Sequence, residues 1–529
     1  MLSLPIALLL AVVNQPAPFA NVAGGTVRGE LAAPGAVFKG IPFAEPPVGE
    51  LRWREPQPVK PWRGVREATR YSAACMQIPI GTGAFLGPLA RRYGVNYPTP
   101  RWELSEDCLY LNIWTPEWPV KEPAAVMVWL HGGSNRIGSG NEAGYDGTDL
   151  ARHGVVVVTV NYRLGALGFL AHPELTRESP HHASGNYGLL DQIAALRWVH
   201  DNIAKFGGDP ARVTVFGESA GAIDIGMLMC SPLTGGLFQR AIMESGPALG
   251  IAYAHSLRQA ERFGERVGAS LERLRALPAG DVLAAAAQVG KQEPNPEFVL
   301  DGWVLQHTPQ QIFAHGLEQP VGFIIGNNGR EASAFRQPSG SSGSAAAGGE
   351  SVKKTLRISY GSMAGVAMAM YFVDARMGRT SAADEWLNDA LMTCPSAAMA
   401  TLNAAAGRRS FVYQFRRSIP GKGQSDLGSF HSLELPYVFG ALHNPVWSWL
   451  PFEKLDKGLA AAIESYWTNF AKTGDPNGAG LPQWAAFTGA SDEYLEFAND
   501  GRSVPRRGVR PTWCSLDVGK LQRRLLENQ

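Results

Sequence analysis

The stretch VTVFGESAGA, residues 213–222, constrains this chain more than any other. Val213, Val215 and Phe216 are the β-branched and aromatic residues that a buried strand favours. Gly217-Glu218-Ser219-Ala220-Gly221 then fits G-x-S-x-G, a sharp strand-to-helix turn that presents its serine on strained backbone. Glycines flank the serine because side chains there would meet the neighbouring strand and helix. The helix that follows aims its N-terminal amides at the same point, which suits a developing negative charge. By itself the pattern is weak, since chance supplies roughly 0.4 matches in a chain so rich in glycine. An ordinary Gly-rich turn would read the same way.

The surrounding pattern supports the stronger reading. Val126-Met127-Val128-Trp129-Leu130 and Gly154-Val155-Val156-Val157-Val158-Thr159-Val160 are near-continuous apolar runs, which predict strands covered on both faces. An amphipathic helix fits 186–206, with Leu189, Leu190, Ile193, Leu196, Trp198, Val199 and Ile203 as its apolar positions. Further strands are predicted at Ala241-Ile242-Met243, Gly322-Phe323-Ile324-Ile325-Gly326 and Phe411-Val412-Tyr413-Gln414-Phe415. Helices are predicted over 256–289 and 459–471, and a strand and helix close the chain. The alternation predicts an α/β fold with a mainly parallel sheet. At the N-terminus, Gly25–Gly29 and Ala36–Pro42 read as a small antiparallel pair. Residues 75–108 read as a long loop, and 338–350, PSGSSGSAAAGGE, as a flexible surface loop. No repeat or clean linker interrupts the 529 residues, so 21–529 is expected to be a single domain.

Leu2 to Val13 is apolar, too short to span a membrane and of the length of a signal h-region. No Lys or Arg precedes it, but small residues follow. Residues 1–20 are therefore expected to be a signal peptide cleaved after Ala20, giving an exported protein with no stable membrane insertion. A net charge of +1 offers no electrostatic case for nucleic acid as a partner. No zinc-ligand spacing and no C-x-x-C is present, so neither a metal nor a redox site is expected. The five cysteines leave at least one unpaired in an exported chain. Cys230, within an apolar run, reads as a buried free thiol.

Six stretches together resemble the type-B carboxylesterase family, the cholinesterase-like branch of the α/β-hydrolases. They are GIPFAEPPVGELRWREPQP at 40–58, SEDCLYLNIWTP at 105–116, NYRLGALGFL at 161–170, GNYGLLDQIAALRWVHDNIAKFGGDPARVTVFGESAGA at 185–222, HSLELPYVFG at 431–440 and SYWTNFAKTGDPNGAGLPQW at 465–484. The resemblance implies a large twisted, mostly parallel sheet flanked by helices, with an active-site gorge above the strand ends. It implies a nucleophile at Ser219, a base at His431 and an orienting acid at Glu331, in the chain order this fold requires. Arg330 and Ala332 stand where the family commonly has aspartate and glycine. His131-Gly132-Gly133-Ser134-Asn135 matches the family's oxyanion loop, with Ser134 in place of its third glycine. The implied oxyanion donors are the amides of Gly133, Ser134 and Ala220. Glu218, Ser245 and Glu434 match positions that order the histidine from behind, and Glu106 and Arg163 match a structural ion pair. The same resemblance implies disulfides Cys75–Cys108 and Cys394–Cys514, which contribute about 4 and about 5 kcal/mol in the chain-entropy model.

The activity implied is cleavage of carboxylic esters through an acyl-enzyme, with no metal or cofactor. A catalytically dead adhesion module is the rival from another class, and such modules usually lose a triad residue. A lipase or a lactonase with a specialised natural ester is the other alternative. Choline-specific relatives bind their cation on a tryptophan ten residues before the closing cysteine of the first disulfide loop, where this chain has Pro98. Trp102 sits in the segment that the family uses to approach S-E-D-C and is not credited with that role, and Gln292-Glu293-Pro294-Asn295-Pro296 lacks the family's acyl-pocket aromatics. Uncharged short- to medium-chain acyl esters, and a gorge less selective for a cationic alcohol and roomier on the acyl side, are the resulting expectations. The oligomeric state stays open.

Overall fold

The computed structural model describes residues 17–510 and Cys514, except 79–82, 98–101, 120, 251–253, 294, 336–364, 366–367, 370, 374–381 and 490. Eleven strands form one sheet. In chain order they are β1 (Glu30–Ala32), β2 (Gly35–Pro42), β3 (Tyr110–Trp114), β4 (Ala124–Leu130), β5 (Val155–Val160), β6 (Gly208–Glu218), β7 (Arg240–Glu244), β8 (Gly322–Asn328), β9 (Ser410–Phe415), β10 (Glu493–Phe497) and β11 (Ser503–Arg507). Their spatial order is β11-β10-β9-β8-β7-β6-β4-β5-β3-β2-β1. From β10 to β5 every pairing is parallel, and the pairings outside that block are antiparallel.

The apolar runs are continuous because alternate residues enter different layers. Val126, Val128 and Leu130 of β4 join one core, and Ala125, Met127 and Trp129 join another. In β5, Val156, Val158 and Val160 face the first core while Val155 and Val157 face the second. Four helices matter for the site: α1 (Gly83–Arg92), α2 (Tyr187–Asn202), α3 (Ala220–Cys230) and α4 (Lys454–Thr473). α2 and α3 supply Leu189, Ile193, Leu196, Ile225 and Leu228 to the first core. α4 covers the other face with Leu459, Ile463, Trp467 and Phe470. It stops at Gly474, whose φ of 78° is a left-handed cap.

Several sequence expectations need correction. Gly25–Arg28 and Gly35–Pro42 do not pair with each other. Gly25–Arg28 pairs with Phe19–Val22 and Val65–Glu67 in a separate sheet, whereas Gly35–Pro42 joins the main one. Ala20 is buried within the Phe19–Val22 strand, so cleavage after Ala20 would divide that strand. Residues 1–16 of the expected signal peptide, the 338–350 segment, Pro98 and nearly all of the expected C-terminal helix lie outside the described residues. The stretch 75–108 is not all loop, because it contains α1. Pro88 and the flanking glycines mask the spacing of Leu86, Leu89, Ala90 and Tyr93, which are buried in the second core. Glu106 and Arg163 do not pair with each other either. Glu106 takes a two-point ion pair from Arg52, at 2.5 and 2.6 Å, and Arg163 takes one from Asp191 of α2, at 2.7 and 2.8 Å. Residues far apart in sequence supply the partners, and both arginines are buried.

Cys75 is bonded to Cys108 and Cys394 to Cys514, while Cys230 is free and buried. Burial pushes the Cys230 thiol well up, which makes it a poor nucleophile. Disulfides of this kind belong to an oxidising compartment. Among the described residues no helix is long and apolar enough to cross a membrane. Peptide mapping of the non-reduced protein is expected to recover both disulfides. A single thiol, Cys230, should react with iodoacetamide only after unfolding. Stoichiometric alkylation of the folded chain would contradict this packing.

Candidate active site

The C-terminal ends of β4, β6, β7 and β8 lie side by side. Gly217 is in register with Leu130, Glu218 with Glu244, and Glu244 with Gly326. Ser219, the 131–135 loop, Ser245 and Glu331 all follow these ends, where open α/β sheets hold their ligands. Ser219 has φ 56° and ψ −123°, a strained conformation for a residue with a side chain. Its N–H donates to the Glu244 carbonyl at 2.8 Å, which fixes the turn against β7. A Cβ on Gly221 would lie 2.0 Å from the Leu130 carbonyl oxygen, so only glycine lets α3 approach β4 this closely.

The structure brings Ser219, His431 and Glu331 together. His431 Nε2 lies 2.9 Å from Ser219 Oγ, and His431 Nδ1 lies 2.6 Å from Glu331 Oε2. With Nδ1–H given to Glu331, a neutral imidazole leaves Nε2 to accept the serine proton. Glu331 is itself fixed by the Asn328 N–H, which donates to Oε1 at 2.5 Å. The two departures around it are accommodated. Arg330 donates to the Ser425 carbonyl, and the Ala332 N–H donates to Asn388 Oδ1 at 3.2 Å.

Gly133, Ser134 and Asn135 have φ of 108°, 54° and 52°. The left-handed Ser134 accounts for the glycine usual at that position and costs about 1–3 kcal/mol of strain. The Arg136 and Ile137 N–H groups both donate to the Gly133 carbonyl at 3.1 Å. That carbonyl therefore points into the turn, and the Ser134 N–H of the same trans peptide points the opposite way. Gly133, Ser134 and Ser219 line one cavity. Ala220 is the first residue of α3, so its N–H has no acceptor within the helix.

Acidic side chains crowd the imidazole. Glu218 Oε1 lies 3.2 Å from His431 Nε2 and accepts from Ser432 Oγ at 2.6 Å. Glu434 accepts from Ser245 Oγ at 2.9 Å and from Asn328 Nδ2. Burial opposes charge on His431, but Glu218 and Glu331 outweigh it and raise the imidazole to about 9. Burial, reinforced by Glu218 and Glu331, pushes Glu434 up to about 8. Glu244, which the sequence did not single out, is buried behind them and accepts from Trp467 Nε1 at 2.7 Å.

The cavity at Ser219 encloses about 90 Å³. Phe85 and Leu86 of α1, Ile137, Tyr145, Phe335, Leu435, Val446 and Trp447 line it. Aromatic side chains from other elements, Phe85 and Phe335 among them, thus stand at this cavity. Phe85 and Phe335 lie 5.9 and 5.1 Å from the His431 ring, and Phe335, 62% exposed, forms the rim. Trp102 is not among the lining residues. Phe335, four residues after Glu331, could have been found from the sequence, whereas Phe85 depends on a helix that was read as loop. A larger cavity of about 300 Å³ lies under Trp303 and Tyr187 and shares no residue with this one. Among the described residues no group of three His, Cys, Asp or Glu could hold a metal ion.

The model of the carboxylesterase family matches residues 16–512. The chain is 36% identical to the fumonisin B1 esterase of Sphingopyxis macrogoltabida, over 96% of this chain and 91% of that one. It is 35% identical to the para-nitrobenzyl esterase of Bacillus subtilis (strain 168), over 92% and 97%. A solved structure of a PNB esterase superposes with a TM-score of 0.79 at 32% identity, covering 95% of this chain and 99% of that one.

For His431 to take the serine proton it must be neutral, so activity should rise with pH through the histidine titration. Replacing Glu218 with glutamine removes a charge that favours the imidazolium. The lower limb of the kcat/KM profile should then move to lower pH by about one pH unit. A limb that stays in place or moves upward would remove Glu218 from this role.

Proposed function

The chain belongs to the carboxylesterase family and is a carboxylic ester hydrolase of the α/β-hydrolase fold, and from that premise we propose that it works through a Ser219–His431–Glu331 triad. Ser219 Oγ attacks the ester carbonyl while His431 Nε2 takes its proton. The amides of Gly133, Ser134 and Ala220 hold the oxyanion. His431 then protonates the leaving alcohol, and water repeats the sequence on the acyl-enzyme. Glu331 keeps the ring in the required tautomer, while Glu218, Ser245 and Glu434 fix it from behind. The observation that carries this reading is the unbroken hydrogen-bonded line from Glu331 through His431 to Ser219.

The substrates are uncharged esters with short- to medium-chain acyl groups. The cavity at Ser219 is walled by aromatic and aliphatic side chains, which favours an apolar acyl group. The two relatives are named for fumonisin B1 and for para-nitrobenzyl esters, so a specialised natural ester is the second reading. A non-catalytic adhesion module is not supported, because Ser219, Glu331 and His431 are all retained within hydrogen-bond distance. The mature chain is exported as one hydrolase domain. The Phe19–Val22 strand favours processing before Phe19.

Ser219→Ala is expected to lower ester hydrolysis by several orders of magnitude without loss of fold, and Glu331→Gln by about 10⁴ in kcat. Activity of Ser219→Ala within tenfold of wild type would end the assignment. Across p-nitrophenyl esters from acetate to palmitate, kcat/KM should peak at or below the medium-chain members and exceed that for acetylthiocholine. A preference for palmitate or for the choline ester would overturn the substrate reading.

A further inference from the structure

The oxyanion loop carries two consecutive non-glycine residues in the left-handed region, Ser134 and Asn135. Such a conformation persists only where its surroundings over-determine it. Asn135 is among the few residue types that tolerate it, and its side chain points inward, 1% exposed. Asn135 Nδ2 donates to Asp224 Oδ1 at 2.9 Å, and the Gly165 N–H donates to the Asn135 carbonyl at 2.6 Å. Asp224 is the one charged residue in α3, the helix that begins at Ala220, and it has no solvent exposure. Its second oxygen accepts from Gln192 Nε2 of α2 at 2.5 Å. Burial lifts the Asp224 carboxyl to about 7 against these two amide bonds, and no cation contributes. Asn135 Oδ1 and Gln192 Oε1 are buried and have no hydrogen-bond partner among the described residues. Apolar side chains of similar volume at all three positions would leave no buried polar atoms to satisfy, so stability alone does not explain the trio.

We propose that Asn135 and Asp224 are positioning residues: their hydrogen bond clamps the oxyanion loop to the nucleophile's own helix. Gly133 and Ser134 stand on one side of the clamp, and Ser219 and Ala220 on the other. The bond joins the two halves of the oxyanion hole, so it sets the distance from donors to reacting carbon. The inference rests on the Ser219 and oxyanion assignments proposed above.

The test compares Asn135→Gly, Asp224→Ala, the double variant and Asp224→Asn. Glycine accepts a φ of 52°, so Asn135→Gly removes the amide without adding backbone strain. Asparagine at 224 can still accept from Asn135 and, with Gln192 flipped, donate to its oxygen. p-Nitrophenyl butyrate supplies kcat and KM, and a trifluoromethyl ketone reports affinity for the tetrahedral oxyanion. Asn135→Gly and Asp224→Ala are each expected to lower kcat about 30-fold and to weaken the ketone by a similar factor. KM should stay within about threefold, and the double variant should be no worse than the poorer single one. Asp224→Asn should stay within about threefold of wild type in kcat. Wild-type kcat in Asn135→Gly, losses that multiply in the double variant, or failure of Asp224→Asn to rescue would each overturn the clamp. Should Asp224→Ala not fold, Asn135→Gly and Asp224→Asn decide the matter. An organophosphate separates the two levels. Wild type labelled at a serine other than Ser219 sinks the triad and the clamp together, whereas Ser219 labelled in every variant with kcat unchanged sinks the clamp alone.

Discussion

The closest approach at the site is that of α3 to the Leu130 carbonyl, and the remaining geometry follows from it. Gly221 has no room for a Cβ there. The contact lets the chain leave β6 and enter a helix within one residue, Ser219, at the cost of an unfavourable φ and ψ. The same closeness sets the start of α3 beside the loop that leaves β4. Backbone amides from two elements are thus brought beside Ser219. Parallel strands make this possible, because their C-terminal ends share an edge.

The sheet and the elbow were legible because each is written in consecutive residues. The valine runs, the G-x-S-x-G turn, the 186–206 helix and the free Cys230 need no information beyond their neighbours in sequence. The resemblance carried Glu331, His431 and both disulfide pairings, which no local pattern could give. Neither source found the partners of Glu106 and Arg163. Each pair is decided by which loops the sheet brings together, as Arg52 to Glu106 and Asp191 to Arg163. α1 escaped because Gly and Pro interrupt its apolar spacing, and the aromatic wall it brings to the cavity escaped with it. Asn135 and Asp224 look unremarkable in sequence, since an amide in a loop and an acid in a helix are ordinary until both are buried.

Buried acid is the dominant electrostatic feature around His431. Glu218, Glu331, Glu434 and Glu244 are all nearly inaccessible to water. Such a cluster cannot carry a full charge on every member, and burial accordingly pushes Glu434 and Glu244 toward their neutral forms. The imidazole therefore sits in a field that favours its cation. In the proposed mechanism this lowers the energy of the imidazolium formed as Ser219 loses its proton, but it also holds back the neutral base needed at the start. The position of Glu218, within reach of Nε2, sets much of that balance.

The Cys75–Cys108 bond ties both ends of the segment that holds α1. That segment delivers Phe85 and Leu86 to the cavity but contributes no strand to the main sheet. Part of the cavity wall is thereby placed on a segment whose two ends are tied to each other. Exchanging Phe85 alters the cavity wall while the turn at Ser219 and the strand ends stay as they are, whereas Leu89, Ala90 and Tyr93 of the same segment are anchored in the core.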